Sequence, residues 1–320
     1  MSDQKVLIFG NGFVASLLRD SAHLGFDVTV STVDVLDQTA VAREFRTYVP
    51  DIVINTAAKT NIDWCEQHRD LTFNVNVLGA DALARQCVQA RAYFVQFSSG
   101  CLQESRGPDD VKREQDAINP RCFYAWTKAW AEHLISDRCE RDGLEALFVR
   151  PRLLLSSRLS SRNSILKLFT YTRFIDVAQS ATVAEDMVDA VWRLIEARAV
   201  GACNVANPGL ISPWEIAGML RDLVDPEFRP TRIDTDELNA LTQVRRIRTV
   251  LSTERLSAHG IKLPHIKAGV RGVLTAIAGQ LETEEGRRIL ALTERDTKKK
   301  LKKQVPAQRR ATRDAQPDAT

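Results

Sequence analysis

The chain of 320 residues lacks the patterns with which cysteine and histidine usually build metal sites or disulfide frameworks. Its six cysteines are scattered without a CxxC pair, and the five histidines do not join them at zinc-ligand spacing. We therefore expect neither a structural metal nor a disulfide framework. No apolar run is as long as a membrane span, and MSDQ leads into KVLIFG without the pattern of a signal peptide. These absences predict a cytoplasmic protein without a membrane partner.

The basic charge of the chain is concentrated at its end. Eight Lys/Arg and two Asp give residues 297–320 a charge of +6, whereas the whole chain carries +3, so the remainder carries −3. A mildly acidic body does not suggest a face for nucleic acid. The terminal stretch contains few large apolar residues and is expected to be disordered. It either stays solvated or makes an electrostatic contact with an anionic partner.

Strand-like and helix-like patterns alternate through the first half. Five short, nearly all-apolar runs are typical of strands buried on both faces of a parallel sheet: KVLIFG, DVTVS, DIVINTA, AYFVQFS and EALFVRP. The segments between them have helical spacing of apolar residues: FVASLLRDSAHLG, TAVAREFRTYV, TFNVNVLGADALARQCVQA and YAWTKAWAEHLISDRCERDG. This alternation predicts an α/β fold with a Rossmann-type doubly wound parallel sheet.

The second half predicts a smaller C-terminal substrate-binding lobe. The polar loop SSRLSSRNS precedes ILKLFTYTR, which has a helical pattern, and GACNVAN follows later as a strand that returns to the sheet. We expect residues 1–280 to form one unit. Its parts are a dinucleotide-binding core of about residues 1–155 and 174–206 and a substrate lobe of about residues 156–173 and 207–280. Residues 281–320 are expected to form a polar helix that leads into the basic tail.

The turn after the first strand, IFGNGFVAS, has the GxGxxA form of the dinucleotide fingerprint. Glycine lets the backbone approach a pyrophosphate closely, and the following helix N-terminus offers free N–H groups and positive dipole charge. The alternative is a plain glycine turn. Because the pattern follows the first strand of a βαβ unit, we assign cofactor contacts to Gly10, Asn11, Gly12, Phe13 and Val14.

The end of the second strand bears on the choice of cofactor. An NAD enzyme usually places an acidic residue there to hold the ribose 2′-hydroxyl, whereas this strand ends at Ser31. A serine does not repel a 2′-phosphate, so NADPH is favoured, although NADH remains possible because no arginine stands nearby. Asp34 follows shortly after and either bonds the adenine or is an ordinary loop acid.

Tyr124 and Lys128 lie four residues apart on a predicted helix and therefore on one face. A lysine ammonium close to a phenol lowers the pKa of that phenol from about 10. The phenol can then give a proton to a carbonyl oxygen while a hydride reaches the carbon. A YxxxK pair can also be a simple surface pair. Here it follows a nucleotide loop and a strand that ends in Ser98 and Ser99, which favours catalysis.

With these motifs the sequence resembles the extended short-chain dehydrogenases/reductases, and within them the dTDP-4-dehydrorhamnose reductases. It is most similar to the bifunctional 3,5-epimerase/4-reductases that make nucleotide-linked L-rhamnose, through NIDWCE, SGC, FYAWTKA, RN before SILK, and NPGLISPWEI. The resemblance covers about residues 5–275. It implies NADPH as cofactor, a nucleotide-linked 4-keto-6-deoxy sugar as substrate, with UDP and dTDP both open, and the homodimer that is usual for that family.

The same resemblance implies roles for individual residues. Ser99 would polarise the substrate carbonyl, Tyr124 would act as acid and base, and Lys128 would hold the cofactor ribose. Further residues would lie along the cofactor: Ala57, Ala58, Lys59 and Asn76. Arg152 and Asn163 would contact the substrate.

Cys101 and Lys167 are the residues that would add epimerisation to reduction. The C3 and C5 protons of a 4-keto sugar lie α to the ketone, so a base can remove them while Ser99 and Tyr124 stabilise the charge on the C4 oxygen. In the resembled bifunctional enzymes a cysteine stands two residues after the catalytic Thr/Ser, as Cys101 does here, and a lysine follows the fifth strand, as Lys167 does. Separately, they could be a small loop residue and a helix-surface lysine. A reductase without epimerase activity and a non-catalytic NADP-binding regulatory subunit remain alternatives.

Overall fold

The computed structural model describes residues 3–160 and 163–295. Its strands are β1 (Gln4–Phe9), β2 (Phe26–Ser31), β3 (Ile52–Asn55), β4 (Tyr93–Phe97), β5 (Val111–Lys112), β6 (Ala146–Pro151), β7 (Leu154–Leu155), β8 (Arg173–Ile175), β9 (Thr182–Val183), β10 (Gly201–Val205), β11 (Thr231–Ile233) and β12 (Val250–Leu251).

The helices alternate with these strands. They are α1 (Phe13–Asp20), α2 (Gln38–Tyr48), α3 (Ile62–Gln67), α4 (Arg69–Phe73), α5 (Gly79–Ala90), α6 (Phe123–Asp142), α7 (Ser164–Leu168), α8 (Ala184–Glu196), α9 (Pro213–Leu223), α10 (Thr235–Leu241), α11 (Glu254–Ala258), α12 (Ile266–Leu281) and α13 (residues 284–295). One π-helical turn, Asn74–Leu78, joins α4 to α5, and a 3-10 turn, Gly100–Leu102, follows β4.

Six strands form one parallel sheet in the order β10-β6-β4-β3-β1-β2. All five predicted strand runs and the late strand are in it, which confirms the predicted doubly wound α/β fold. The strand order reverses between β1 and β3. In such sheets ligands bind in the crevice beyond the carboxyl ends of the strands at this reversal.

Side-chain alternation along the strands builds a core on each face of the sheet. In β1, Val6 and Ile8 pack with α1 and α8, where Trp192 is fully buried. Leu7 and Phe9 point to the opposite face and pack with α2, α5 and α6. Both faces are covered by helices, which explains why the strand sequences are almost continuously apolar.

A third core lies in the second half of the chain. Buried apolar side chains from α7, α9, α12 and β9 form it, among them Ile165, Leu220 and Val270. The segment 165–173, for which the sequence predicts a helix, is helical only as far as Leu168. Thr170 ends this helix, because both its backbone N–H and its hydroxyl donate to the Lys167 carbonyl, at 3.0 and 2.7 Å.

Three further expectations concern the basic tail, membrane spans and the cysteines. The basic stretch 297–320 lies outside the described residues. Within the described ranges, no helix combines the length and apolarity needed to cross a bilayer. All six cysteines belong to these ranges and are free thiols there.

Candidate active site

The β1–α1 turn presses against the end of β3. Gly10 has φ +99°, and a Cβ atom on it would lie 2.6 Å from the Ala57 nitrogen and 2.7 Å from the Thr56 hydroxyl oxygen. Gly12 caps α1 without a side-chain hydrogen bond, so the N–H groups of the first turn have no side-chain acceptor at the cap. Such a turn leaves room for an anionic group against the backbone.

A cleft of about 740 Å³ opens beside this turn. It is lined by Gly12, Phe13 and Val14 from the turn, by Ala58 after β3, and by residues from four other segments. These include six of the predicted site residues with reactive or charged side chains: Ser99, Cys101, Tyr124, Lys128, Arg152 and Lys167. The cleft therefore brings the glycine turn and the predicted catalytic side chains together.

The residues predicted at the end of β2 have local hydrogen bonds. Ser31 is buried, and its hydroxyl oxygen accepts a bond from the Val33 N–H at 3.1 Å. Asp34 is exposed and accepts from the Leu36 N–H at 3.0 Å, as an ordinary loop acid does. Neither residue lines the cleft, so their contacts with a cofactor stay predictions.

Asn76 links the segment after β3 to α6. Its side-chain oxygen accepts from the Lys59 N–H at 2.7 Å, and its amide donates to the Lys59 carbonyl and the Thr127 hydroxyl, both at 3.0 Å. The side chain is fully enclosed. The structure therefore places Asn76 behind the wall of the cleft, where it positions the backbone of Lys59.

Ser99 and Tyr124 meet at the end of β4. Ser99 starts the 3-10 turn, and its hydroxyl oxygen accepts from the Cys101 N–H at 3.1 Å. Tyr124 lies in the first turn of α6 and hydrogen-bonds to the Ser99 side chain. Burial raises the pKa of the Tyr124 phenol well above its ordinary range, and negative charge on Cys101 raises it further. The phenol is thus protonated at neutral pH and is able to donate a proton.

Lys128 differs from the sequence-based expectation. Its side chain is 3% exposed, and its ammonium donates to the Phe97 carbonyl at 2.8 Å. Burial lowers the pKa of Lys128 to about 8, although the nearby Glu132 carboxylate opposes this change. The ammonium is directed at the Phe97 carbonyl at the end of β4. The expected lowering of the phenol pKa is wrong for this arrangement, because burial raises the pKa of Tyr124.

Cys101 lies next to a cationic side chain. Arg152, at the end of β6, donates from Nη1 to the Cys101 sulfur at 3.0 Å. Lys167 reaches the same cleft from α7. Asn163, predicted to contact substrate, is buried and caps α7 instead, since its side chain bonds to the Ile165 N–H and to two carbonyl groups of the preceding loop. The structure does not bring Asn163 into the cleft lining.

Sequence reasoning missed several residues that line the cleft. They are Thr56, Thr60, Ile62, Phe97, Leu153, Leu154 and Ser164. Ser98 also lines it, and within the described ranges its buried hydroxyl has no hydrogen-bond partner. The Arg152–Cys101 contact was missed too, because no sequence pattern links residues 51 positions apart. The glycine of SSGC is visible in the sequence, but its role depends on close contacts with residues that are distant in the chain.

The parallel sheet, the glycine turn and a cleft holding serine, tyrosine and lysine define a short-chain dehydrogenase/reductase of the extended kind. The model of one family within this class, described as the RmlD substrate binding domain, matches residues 4–278. The chain belongs to that family.

Two relatives from Arabidopsis thaliana are each 28% identical to this chain. One, the bifunctional dTDP-4-dehydrorhamnose 3,5-epimerase/dTDP-4-dehydrorhamnose reductase, matches over 273 residues, 82% of this chain and 89% of its own length. The other is a trifunctional UDP-glucose 4,6-dehydratase/UDP-4-keto-6-deoxy-D-glucose 3,5-epimerase/UDP-4-keto-L-rhamnose-reductase. It matches over 277 residues, 82% of this chain and only 40% of its own length, so the chain spans about two fifths of that relative.

Solved structures share the fold. The UDP-rhamnose synthase of Acanthamoeba polyphaga mimivirus superimposes with a TM-score of 0.78 at 25% identity, covering 86% of this chain and 100% of that chain. The dTDP-4-dehydrorhamnose reductase of Bacillus anthracis, solved in complex with NADP, gives a TM-score of 0.76 at 20% identity, covering 85% and 98%. Both similarities extend over nearly the whole of the described fold.

Proposed function

We propose that this protein is an NADPH-dependent 3,5-epimerase/4-reductase that converts a nucleotide-linked 4-keto-6-deoxyhexose to nucleotide-linked L-rhamnose. One observation carries the proposal: Ser99, Cys101 and Tyr124 line a single cleft into which Lys128 and Lys167 also reach. A ketone oxygen bound between the Ser99 and Tyr124 hydroxyls would have Cys101 beside the same ring.

Reduction would use the donors around the ketone. Ser99 and Tyr124 hold the C4 oxygen by hydrogen bonds, and the neutral Tyr124 phenol gives its proton to that oxygen as negative charge develops there. NADPH, when bound, supplies the hydride that C4 receives. Lys128 has three N–H donors, of which one bonds the Phe97 carbonyl, so others are available for a ribose hydroxyl.

Epimerisation would use the same hydrogen bonds from Ser99 and Tyr124 to the ketone oxygen. Cys101 takes the proton from C3 or C5, the C–H electron pair moves toward the C4 oxygen, and Ser99 and Tyr124 stabilise the charge there. Lys167 would return a proton to the carbon from the other face. In this proposal, Cys101 is the base and Lys167 is the acid that inversion of each centre requires.

The cofactor assignment rests on the β1–α1 turn. Only glycine fits at position 10, because a Cβ atom there would collide with Thr56 and Ala57 just after β3. The helix α1 begins at Phe13 without a side-chain cap, so the N–H groups of its first turn fit a pyrophosphate. Gly12, Phe13 and Val14 would line the path of NADPH, and no acid ends β2. The similar fold of the Bacillus anthracis reductase, solved with NADP, supports this choice.

Relatives support the pairing of the two activities. The bifunctional Arabidopsis protein is named for a 3,5-epimerase and a reductase, and this chain spans 89% of its length. Relatives are named for dTDP and for UDP sugars, and we extend the substrate class to both nucleotides. We further propose that the sheet with its helices binds NADPH, whereas the core around α9 and α12 supports the sugar site.

A product analysis tests this function. The purified protein is incubated with UDP- or dTDP-4-keto-6-deoxyglucose and NADPH in D₂O, and the nucleotide sugars are identified by NMR. We expect L-rhamnose with deuterium at C3 and C5, without a second enzyme. Reduction that occurs only after a separate epimerase is added would identify a reductase alone, and no turnover would favour a regulatory subunit.

Two variants separate the steps. Cys101→Ser should abolish deuterium exchange at C3 and C5, while pre-epimerised substrate is still reduced. Tyr124→Phe removes the proton donor and should slow reduction of pre-epimerised substrate by roughly 10²–10⁴-fold. If Cys101→Ser is folded and both activities are lost together, separate roles for the two residues are wrong.

A further inference from the structure

We propose that Arg152 is the positioning residue that holds the Cys101 sulfur as the base for epimerisation. This inference rests on the proposed epimerase function and assigns to Arg152 a task other than substrate binding. It is carried by the hydrogen bonds of the guanidinium, by the backbone around it, and by the close approach of the two chain segments.

The Arg152 guanidinium bridges the sulfur and two fixed acceptors. Nη1 donates to the Cys101 sulfur at 3.0 Å, while Nη2 donates to the Gln179 side-chain oxygen and the Ile247 carbonyl, both at 2.7 Å. Gln179 is itself held in a backbone bridge with Ile211. These acceptors therefore fix the orientation of the planar guanidinium, and an N–H group of Nη1 points at the Cys101 sulfur.

The backbone of Arg152 is fixed as well. Its N–H donates to the Thr182 hydroxyl at 3.0 Å, and that hydroxyl donates to the Val205 carbonyl at 2.9 Å. The next residue, Leu153, has φ +40°, a left-handed conformation that leucine adopts only at a cost. The chain thus turns sharply immediately after Arg152, at the wall of the cleft.

Gly100 allows the two segments to come together. A Cβ atom on this residue would lie 3.3 Å from both the Arg152 Cβ and the Pro151 carbonyl oxygen, and 2.8 Å from a Leu251 methyl group. A larger residue between Ser99 and Cys101 would push the 3-10 turn away from Arg152. The glycine in SSGC therefore supports the contact between guanidinium and sulfur.

The contact suits proton abstraction from the sugar. During this step a C–H bond at C3 or C5 breaks, an S–H bond forms on Cys101, and the electron pair moves to the C4 oxygen. A charge-assisted hydrogen bond from Arg152 is strongest while the sulfur is negative, before it takes the proton. Arg152 takes no part in the proton transfer and acts only through its hydrogen bond to Cys101.

Alkylation of Cys101 tests the contact without the sugar. Iodoacetamide reacts with the thiolate form of cysteine, and mass spectrometry of peptides separates Cys101 from the other five thiols. In substrate-free enzyme we expect Arg152→Gln to lower the alkylation rate of Cys101 by roughly 10–100-fold, the effect of losing one charged hydrogen bond. Arg152→Lys should restore part of the rate. Arg232→Gln removes an exposed arginine paired with Asp176 and is the matched control.

The deuterium assay at C3 and C5 is then run on the same variants. We expect exchange to fall in parallel with alkylation, with a larger effect on kcat than on KM for the sugar. Gln179→Met keeps Arg152 and removes one of its acceptors, so its alkylation and exchange rates should lie between those of the wild type and Arg152→Gln. If Arg152→Gln does not fold, this variant still tests the role of Arg152.

The outcomes are distinguishable. Unchanged alkylation of Cys101 in folded Arg152→Gln and Arg152→Lys overturns the role of Arg152, whatever happens to activity. A raised KM with unchanged alkylation shows a substrate ligand instead and equally overturns it. If wild-type enzyme reduces pre-epimerised sugar but exchanges no deuterium, the proposed epimerase function fails, whereas an alkylation rate that depends on Arg152 still establishes the contact.

Discussion

At the scale of single residues, Lys128 shows how burial changes the pKa of a lysine side chain. It lies one helical turn from Tyr124 and is enclosed between α6 and the end of β4, with its ammonium on the Phe97 carbonyl. Glu132, one turn further, forms a bidentate ion pair with Arg150 inside the protein. The negative charge of this carboxylate partly offsets the effect of burial on the pKa of Lys128. The lysine therefore keeps its charge at neutral pH, with a pKa of about 8.

The low pKa of Lys128 predicts a pH dependence of stability. Between the folded pKa of about 8 and the ordinary value of 10.5, the unfolded chain binds a proton that the folded protein has released. The free energy of unfolding therefore rises with pH across that window through this group. Relative to Lys128→Met, the wild type should gain on the order of 1–3 kcal/mol from about pH 7.5 to about pH 10.5, measured by urea unfolding.

Lys262→Met is the matched control for this measurement. Lys262 is exposed, and its ammonium stays in water in both the folded and the unfolded state. Its stability profile should run parallel to that of the wild type. If the difference between wild type and Lys128→Met is flat over the window, burial does not lower the pKa of Lys128.

At the scale of elements, the turn from β1 to α1 depends on one residue without a side chain. Gly10 combines a positive φ with close contact to the segment just after β3, whereas Gly143, which ends α6 at φ +70°, has nothing within 4 Å of a Cβ atom. Both glycines have a positive φ, but only Gly10 has other atoms close to the position that a Cβ atom would take.

Alanine substitutions at Gly10 and Gly143 should separate the cost of a positive φ from the cost of a steric clash at the Cβ atom. Gly143→Ala should cost about 1 kcal/mol of unfolding free energy, because only the left-handed conformation is penalised. Gly10→Ala should cost roughly 1–3 kcal/mol more, since the methyl group meets the Ala57 nitrogen and Thr56 hydroxyl, and it should weaken NADPH binding. Urea unfolding measures the two losses of stability, and fluorescence titration measures the affinity for NADPH. Equal losses with unchanged NADPH affinity would show that the close approach is unimportant.

Most elements could be predicted from the sequence because their patterns are local. Strands buried on both faces are apolar runs, and β1, β3, β4 and β6 appear where such runs stand. The segment after Asn163 could not be predicted, because its apolar residues fit a helix while Thr170 hydrogen-bonds the chain into a turn. The strand Arg173–Ile175 forms only through pairing with Thr231–Ile233, which is distant in the sequence.

At the scale of the whole molecule, parallel strands bring distant residues to one edge of the sheet. The ends of β1, β3, β4 and β6 carry Gly12, Ala58, Ser99 and Arg152 to a common cleft. The sequence predicts these positions individually because each follows an apolar run. Hydrogen bonds across the cleft, such as that between Arg152 and Cys101, depend on side-chain directions that no spacing encodes.

Binding of the cofactor should be visible as stabilisation of the whole fold. A ligand that binds only the folded protein adds about 2.7 kcal/mol of unfolding free energy at 100 times its Kd. We expect NADPH to raise the melting temperature more than NADH at equal concentration, because β2 ends without an acid. Gly10→Ala should reduce both shifts. A larger shift with NADH would contradict the assignment of NADPH.

The neighbourhood of Cys101 and Tyr124 has a consequence for the timing of catalysis. Because negative charge on the sulfur raises the pKa of the phenol, the two groups resist being negative together. In the proposed epimerisation, the phenol would keep its hydrogen while the sulfur is negative and would release it more easily once the sulfur has taken a proton from the sugar. The proposed reaction would then invert the carbon centres before it forms the alcohol, without any movement of the chain.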